Sequence, residues 1–267
     1  MSELVLLEWQ AAADGRIALV TLNRPERHNS LVPELLAQLL AHLQAVAGAA
    51  DARAVVLQAA GRSFSTGGDA LGFIEHADNV EAYARHVVGL LNETILALWD
   101  LPVPSVAAVQ GIVTGGSLGL ILATDLTLLA HNVTLAPYYS DIGPSPDGGW
   151  TTLLPLVIGR KRAAEALLLN RPLTASEAVD WGVANHIVPA EQVQAEALQL
   201  AQAIAAKKPG SIARTRRLLA LDQDQVAAGL AAELDHFVAH IGTAEALDGF
   251  RDFVAALRAR RREEAAQ

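Results

Sequence analysis

Two glycine-rich segments and one aspartate carry the residue types from which a catalytic site could be built. Residues 64–69 read FSTGGD, residues 111–119 read GIVTGGSLG, and Asp147 lies in the segment SPDGG. A glycine turn at the start of a helix can direct backbone N–H groups at a developing negative charge. The same glycines could equally serve tight turns and close helix packing. The residues alone leave both interpretations open.

Other chemistry fits this sequence poorly. Neither glycine segment has the lysine and hydroxyl residue of a P-loop, and neither sets a GxGxxG motif between a strand and a helix. A cradle for nucleotide phosphates is therefore not expected. The chain has no cysteine, which excludes thiolate ligands and cysteine nucleophiles, and we assign no metal site to its eight histidines.

The glycine segments lie within a repeated order of strand, turn and helix. The sequence pattern predicts strands near residues 4–9, 17–22, 54–58, 105–109 and 126–130, and helices over 33–46, 80–99 and 117–124. This repetition predicts an α/β core whose turns gather at one edge. From residue 148 onward the pattern predicts almost only helix, with a short strand at 185–188. We expect residues 1–190 to form the core and 191–267 a helical C-terminal subdomain.

The composition narrows the class of protein. With 267 residues, 52% hydrophobic and 18% charged, the chain can bury a sizeable core. Its formal charge of −9 weighs against nucleic acid as a partner, RNA included. The apolar stretch 111–130 is interrupted by glycines and Asp125, which favours a buried segment over a membrane span. The first residues lack a signal-peptide pattern, so we expect a cytoplasmic protein.

Several motifs together resemble those of the enoyl-CoA hydratase/isomerase (crotonase) family. They are residues 23–31 (NRPERHNSL), 64–69, 106–120, 142–149 (IGPSPDGG) and 173–183, in the order of the family. The resemblance implies an α/β spiral of ββα units with a helical C-terminal region that assembles into homotrimers or dimers of trimers. It also implies an enzyme whose substrate is an acyl-CoA, with coenzyme A entering as part of the substrate and no other cofactor.

The resemblance assigns roles to particular residues. Gly68 and Gly116 would donate their N–H groups to the thioester oxygen, and a helix start at Gly116 suits an enolate oxygen. Hydratases of the family require two glutamates, at the positions that are Gly119 and Tyr139 here. Because both glutamates are missing, we do not expect two-glutamate hydration.

Asp147 falls where single-carboxylate isomerases of the family carry Asp or Glu, including the oxepin-forming epoxide isomerases of phenylacetate breakdown. One carboxylate suffices to move a proton between carbons while the oxyanion site holds a dienolate. Desolvation would raise the pKa of Asp147 and so make this carboxylate a stronger base. Alternatively, Asp147 is the N-cap of the helix that follows. Tyr139 could orient substrate or donate a proton, or its hydroxyl could be satisfied elsewhere.

Further substrate contacts follow from the same resemblance. Arg24, Arg27 and Arg62 lie in loops where the family meets the phosphates and adenine of coenzyme A, and a guanidinium suits phosphate. Phe73 would line the acyl pocket. The sequence thus predicts an acyl-CoA-processing enzyme, an isomerase rather than a hydratase. The alternatives are a hydratase with non-standard residues, a hydrolase or lyase of the same fold, and a non-catalytic acyl-CoA-binding homologue.

Overall fold

Nine strands form two sheets in the computed structural model, which describes residues 3–220 and 222–265 and their side chains up to residue 259. One sheet has six strands and the order β1-β2-β3-β4-β6-β9, and the other has the order β5-β7-β8. Only β1–β2 and β7–β8 pair antiparallel among these strands. The strands are β1 (Val5–Ala12), β2 (Gly15–Leu22), β3 (Ala52–Ala59), β4 (Ser105–Val109), β5 (Ile112–Thr114), β6 (Leu126–Ala130), β7 (Thr134–Ala136), β8 (Leu173–Thr174) and β9 (His186–Val188).

Helices cover the larger sheet and make up nearly all of the chain after β9. Every residue of β4 is buried, as expected of a parallel strand covered on both faces. The helices are α1 (Pro33–Gly48), α2 (Ala70–Glu75), α3 (Val80–Trp99), α4 (Leu118–Leu122), α5 (Tyr139–Ile142), α6 (Leu154–Ile158), α7 (Arg160–Leu168), α8 (Ala175–Asp180), α9 (Val193–Ala205), α10 (Pro209–Leu219), α11 (Gln223–Ile241) and α12 (Ala244–Ala265). Helix α9 packs on β3 and β4, and α11 packs on α3.

The α/β class with a helical C-terminal region is confirmed. The long helices α1 and α3 and the strands of the larger sheet lie where periodicity predicts them. The expectation of almost only helix between residue 148 and the strand near 185 is wrong at β8, which pairs with β7. A two-residue strand is too short to show any periodicity. The division of the chain at residue 190 stays a prediction.

The apolar stretch 111–130 folds into the core in pieces. It forms β5, a 3₁₀ turn at Gly115–Ser117, α4 and β6, and every residue of α4 is buried. Within residues 3–220 and 222–265, no helix has both the length and the apolar content needed to cross a bilayer.

Backbone hydrogen bonds join the two glycine-rich turns. Ser65 N–H donates to the Ile112 carbonyl and Thr114 N–H donates to the Ser65 carbonyl, both at 3.2 Å. On the other side of the first turn, Leu31 N–H donates to the Gly67 carbonyl at 2.7 Å and Asp69 N–H donates to the Leu31 carbonyl at 3.0 Å. The turn at 65–68 is therefore held between residue 31 and the segment that leads into α4.

A third segment, residues 147–149, is packed against the start of α4. A Cβ added at Gly148 would lie 2.4 Å from Gly116 Cα, and one added at Gly119 would lie 2.3 Å from the Gly148 carbonyl oxygen. Gly148 also has a left-handed backbone, with φ +61°. Only glycine permits this approach of two backbones. The approach places Asp147 beside the second glycine turn.

We expect Gly148→Ala to destabilise the fold by at least about 2 kcal/mol, because the new methyl group meets the Gly116 backbone and the left-handed conformation disfavours a Cβ. Gly89→Ala is the matched control. Gly89 lies inside α3 and nothing would lie within 4 Å of its added Cβ, so this change should stabilise by roughly 0.5–1 kcal/mol. Chemical denaturation measures both, and equal effects would contradict the close contact.

Candidate active site

A single pocket brings the predicted catalytic residues together. It measures about 660 Å³ including its open mouth, and Gly68, Gly116, Tyr139 and Asp147 all line it. Its remaining walls come mostly from apolar side chains of α2, α3, α11 and α12. The two glycine turns and the 147–149 segment thus meet at one cleft.

Asp147 is buried next to the second glycine turn. Its residue surface is 7% exposed, and its carboxyl oxygens lie 3.1 and 3.2 Å from the position that a Cβ on Gly116 would take. The Tyr139 hydroxyl donates to Oδ1 of Asp147 at 2.5 Å and also lies 3.1 Å from the Asp147 carbonyl oxygen. One carboxyl group therefore lies between a phenol donor and the candidate oxyanion glycine.

The surroundings shift the proton affinity of both groups. Burial has the largest effect and raises the pKa of Asp147, the hydrogen bond from Tyr139 lowers it, and the charge of Glu233 raises it; the resulting pKa is about 7. Burial and the neighbouring Asp147 carboxylate raise the pKa of Tyr139 well above its usual value. Near neutral pH, Asp147 can therefore exist with or without its proton, while Tyr139 stays a donor. This is the behaviour required of a general acid–base.

The interpretation of Asp147 as a helix N-cap is wrong. Three N–H groups of the turn at 149–152 donate to the side chain of Glu233 in α11 instead: those of Gly149 (2.7 Å), Thr151 (2.9 Å) and Thr152 (2.8 Å). The α6 helix itself begins only at Leu154 and has no side-chain cap. Asp147 is thus available to the pocket because a distant carboxylate satisfies the backbone that follows it.

The second glycine turn is oriented by a tryptophan that the sequence motifs did not single out. The indole Nε1–H of Trp150 donates to the Gly115 carbonyl at 2.7 Å. That carbonyl and the Gly116 N–H belong to one planar peptide group and point in opposite directions. Trp150 is fully buried and packs edge-on against Tyr139. Holding the carbonyl therefore fixes the direction of the Gly116 N–H.

The geometry at both glycines is compatible with N–H donation. Gly116 is the second residue of the 3₁₀ turn before α4, where a helix leaves its first N–H groups without partners in the helix. At the first turn, the bonds to Leu31 use the Gly67 carbonyl and the Asp69 N–H rather than the Gly68 N–H. The roles of Gly68 and Gly116 as oxyanion donors stay predictions.

Aromatic side chains are concentrated at the pocket. The chain has five phenylalanines and three tyrosines, and the six that line the pocket are Phe73, Tyr138, Tyr139, Phe237, Phe250 and Phe253. Phe73 stacks on Phe250 with ring centroids 5.1 Å apart and contacts Phe237 at 5.9 Å. The predicted position of Phe73 at the pocket fits this arrangement, and the C-terminal helices supply the opposite wall.

The three arginines differ in their surroundings. Arg24 and Arg27 form ion pairs with Asp69, the last residue of the first glycine motif, at 3.0 and 3.2 Å. Burial raises the pKa of Asp69, but the two guanidinium groups outweigh it and hold that pKa below its usual value. Arg62 is exposed and lies 2.9 Å from a ring nitrogen of His28. Arg24 and Arg27 thus brace the Gly68 turn, and phosphate contacts of all three stay predictions.

The histidines contain one spacing suited to metal ligation, which the sequence reasoning did not use. His236 and His240 lie four residues apart on α11. In the described part of the chain, however, no group of three or more His, Cys, Asp or Glu residues is arranged to hold a metal ion.

Glu233 and Trp150 are the residues of this site that the sequence reasoning missed. Glu233 has a visible signal, because it occupies the buried stripe of α11 together with Val226, Leu230 and Phe237. An acid among apolar positions at helical spacing indicates a buried partner. Trp150 carries no comparable signal, since a buried tryptophan is ordinary core composition.

Comparison with known proteins bears on the family of this chain. The family model described as "Enoyl-CoA hydratase/isomerase" matches residues 12–260. A probable enoyl-CoA hydratase of Mycobacterium tuberculosis is 36% identical over 228 residues, covering 81% of this chain and 79% of the relative. The 1,2-epoxyphenylacetyl-CoA isomerase of Escherichia coli is 34% identical over 190 residues, covering 71% of this chain and 72% of that relative.

A solved structure of an enoyl-CoA hydratase/isomerase from Mycobacterium paratuberculosis superposes with a TM-score of 0.85 at 28% identity, covering 94% of this chain and 99% of that one. The fold, the ordered motifs and the match over nearly the whole chain lead to one conclusion: this protein belongs to the enoyl-CoA hydratase/isomerase (crotonase) family of acyl-CoA-processing enzymes.

Proposed function

We propose that this enzyme is an isomerase of enoyl-CoA type, in which Asp147 moves a proton between two carbons of the acyl group. The observation that carries the proposal is the Asp147 carboxyl itself: buried, bonded to Tyr139, next to Gly116, and with a pKa raised to about 7. A carboxyl group with this pKa is an effective base at neutral pH and an effective acid once it has taken the proton.

The proposed reaction balances without water or a cofactor. For a 3-enoyl thioester, the Asp147 carboxylate removes a proton from C2, and the electrons move to the thioester oxygen to give a dienolate. The N–H groups of Gly68 and Gly116 stabilise that oxygen. Protonated Asp147 then returns the proton to C4, giving the 2-enoyl thioester. Tyr139 stays protonated throughout and keeps the carboxyl group oriented.

The space around Gly119 supports isomerisation over hydration. In the family, the first water-handling glutamate would stand at this position. A Cβ there would lie 2.3 Å from the Gly148 carbonyl oxygen and 2.5 Å from Ile95 Cδ1. No side chain fits without moving the segment that carries Asp147. The second glutamate position holds Tyr139, whose hydroxyl is engaged by Asp147.

The aromatic walls support a flat acyl group as substrate. Rings such as Phe73, Phe250 and Phe253 make favourable offset or edge contacts with conjugated and aromatic groups. One relative is named for an aromatic acyl-CoA substrate, 1,2-epoxyphenylacetyl-CoA. We therefore include aryl-substituted acyl groups in the proposed substrate class.

We also propose a homotrimer, or a dimer of trimers. Large apolar side chains are exposed on the packed helices α6 and α7 and just beyond them, an apolar surface suited to contact between copies of the chain. They are Leu156, Val157, Leu168 and Leu169.

The expected substrate profile is conversion of 3-enoyl-CoA to 2-enoyl-CoA with no hydration of crotonyl-CoA above background. Ultraviolet absorbance of the conjugated thioester follows both reactions. Linear and phenyl-substituted 3-enoyl-CoA should be compared, and we expect a higher kcat/KM for the phenyl-substituted substrate. Because the chain has no cysteine, a thiol reagent reports only released coenzyme A and so detects a hydrolase.

Three outcomes would overturn the isomerase assignment. Hydration of crotonyl-CoA would indicate a hydratase that uses unusual residues. Release of coenzyme A or cleavage of a carbon–carbon bond would indicate a hydrolase or lyase. Calorimetric binding of acyl-CoA without turnover of any substrate in the panel would indicate a non-catalytic homologue.

We expect Asp147→Asn to lower kcat by about 10²–10⁴-fold, because the amide cannot accept the substrate proton. Acyl-CoA binding, measured by calorimetry, should change by less than about threefold, since the shape of the pocket is kept. Asp141→Asn is the control: Asp141 is an exposed acid of α5, bonded to Asn170. Turnover by Asp147→Asn at the wild-type rate would reject the proposed base.

Tyr139→Phe should move the acidic limb of the kcat/KM profile to higher pH by about one unit. The hydroxyl stabilises the carboxylate form of Asp147, so its removal raises the pKa of Asp147 further. The loss of activity should therefore be greater at pH 6 than at pH 8.5. Tyr83→Phe, which removes a hydroxyl outside this hydrogen bond, is the control. A limb that stays in place or moves to lower pH would show that Tyr139 does not tune Asp147.

A further inference from the structure

Glu233 of α11 is a buried acid bonded to five donors. It is 4% exposed, and its carboxyl oxygens accept from the N–H groups of Gly149, Thr151 and Thr152. The hydroxyls of Thr151 and Thr152 add bonds of 2.6 and 2.8 Å. All these contacts are donated to Glu233, a pattern typical of an ionised carboxylate.

The donors belong to a turn with the candidate base at its start. Asp147 stands two residues before Gly149, and Trp150 of the same turn holds the Gly115 carbonyl. Displacement of this turn would move the carboxyl group and the indole at once. Both act on the reacting thioester in the proposed mechanism, one as proton carrier and the other through the direction of the Gly116 N–H.

The charge of Glu233 also affects the pKa of Asp147, the proposed base. Burial has the largest effect on the pKa of Asp147. Two titratable groups also change this pKa: Tyr139 by its hydrogen bond and Glu233 by its charge. A fixed negative charge disfavours a second carboxylate nearby and so raises the pKa of Asp147. The hydrogen bonds to Glu233 and its charge therefore affect the same group.

We propose that Glu233 is a positioning residue for proton transfer: it holds the turn that carries Asp147 and Trp150, and it places a fixed negative charge near the base. This inference rests on the proposed function of Asp147. The C-terminal helix then contributes to catalysis without touching the substrate, through a contact 84 residues away in sequence from Gly149.

Glu233→Gln removes the charge and keeps the side-chain shape. We expect the acidic limb of kcat/KM to move to lower pH by about 0.5–1 unit, because the pKa of Asp147 falls, and kcat to decrease with KM changed by less than about twofold. Asp235→Asn is the matched control. Asp235 lies on the same helix, is exposed and pairs with Arg85, so its variant should keep the wild-type limb and kcat.

The double variant Thr151→Val, Thr152→Val separates the two effects of Glu233, which are to hold the turn in place and to place a charge near Asp147. This double variant removes two hydroxyl donors and keeps Glu233, so kcat should fall about 3- to 10-fold while the acidic limb stays in place. If Glu233→Gln does not fold, Glu233→Asp takes its place. Its shorter side chain should lower kcat without moving the limb, and a wild-type kcat in that variant would overturn the proposal.

A measurement without turnover distinguishes failure of this inference from failure of the proposed function. Asp147 binds its proton more tightly in the folded chain, so it stabilises the fold below its unfolded-state pKa. This contribution is lost as the pH rises through about 7. The difference in unfolding free energy between wild type and Asp147→Asn should thus fall with pH and level off above about 7.

The same comparison is then made with Glu233→Gln added to both wild type and Asp147→Asn. The difference in unfolding free energy should become constant at a lower pH than without Glu233→Gln. An unchanged levelling pH, or an equal shift with Asp235→Asn, would overturn the electrostatic part of the inference even if Asp147 proves to be the base. A different result is normal turnover by Asp147→Asn together with a levelling pH that Glu233→Gln still shifts. That result would reject the proposed function and leave only the electrostatic coupling of the two carboxyl groups. It would also overturn the catalytic role of Glu233.

Discussion

The contact between the Gly148 backbone and the first turn of α4 is the constraint on which the site depends. It brings Asp147 to Gly116, the residue whose N–H faces the reacting oxygen in the proposed mechanism. It also leaves no space for a side chain at Gly119, so the geometry that brings the aspartate in excludes a carboxylate at that position. Packing at one backbone crossing thus decides which acid the pocket contains.

Two buried carboxyl groups at this crossing have opposite surroundings. Glu233 accepts five hydrogen bonds, three of them from backbone N–H groups, whereas the side chain that bonds to Asp147 is the phenol of Tyr139. Donors stabilise a carboxylate, and burial with few donors stabilises the protonated acid. Asp147, which is buried with few donors, therefore has its pKa raised to about 7 and responds to pH near neutrality.

The parts of this arrangement that are local in sequence were predictable. Periodicity predicts α1 and α3, and the glycine turns and Asp147 lie in short motifs whose order indicates the family. The strands β5, β7 and β8 have only two or three residues each and were not predicted, whereas β9, also three residues long, lies within the strand predicted at 185–188. Long-range partners were not predictable either: Trp150 reaches Gly115, and the pairing of Arg24 with Asp69 spans 45 residues. Such contacts depend on the folded chain rather than on spacing.

The walls of the pocket bear on the fate of the proton. A base that exchanges its proton with water would return a solvent hydrogen to the substrate instead of the hydrogen that it removed. Here Asp147 lines the same pocket as apolar and aromatic side chains of α3, α11 and α12, and the Tyr139 hydroxyl donates to one of its oxygens. In the proposed mechanism this apolar lining limits exchange of the abstracted proton with water, so that Asp147 returns the proton to another carbon of the acyl group. An aspartate without the two glutamates of the hydratases is thus suited to the proposed isomerisation, in a pocket whose apolar walls come in part from the C-terminal helices.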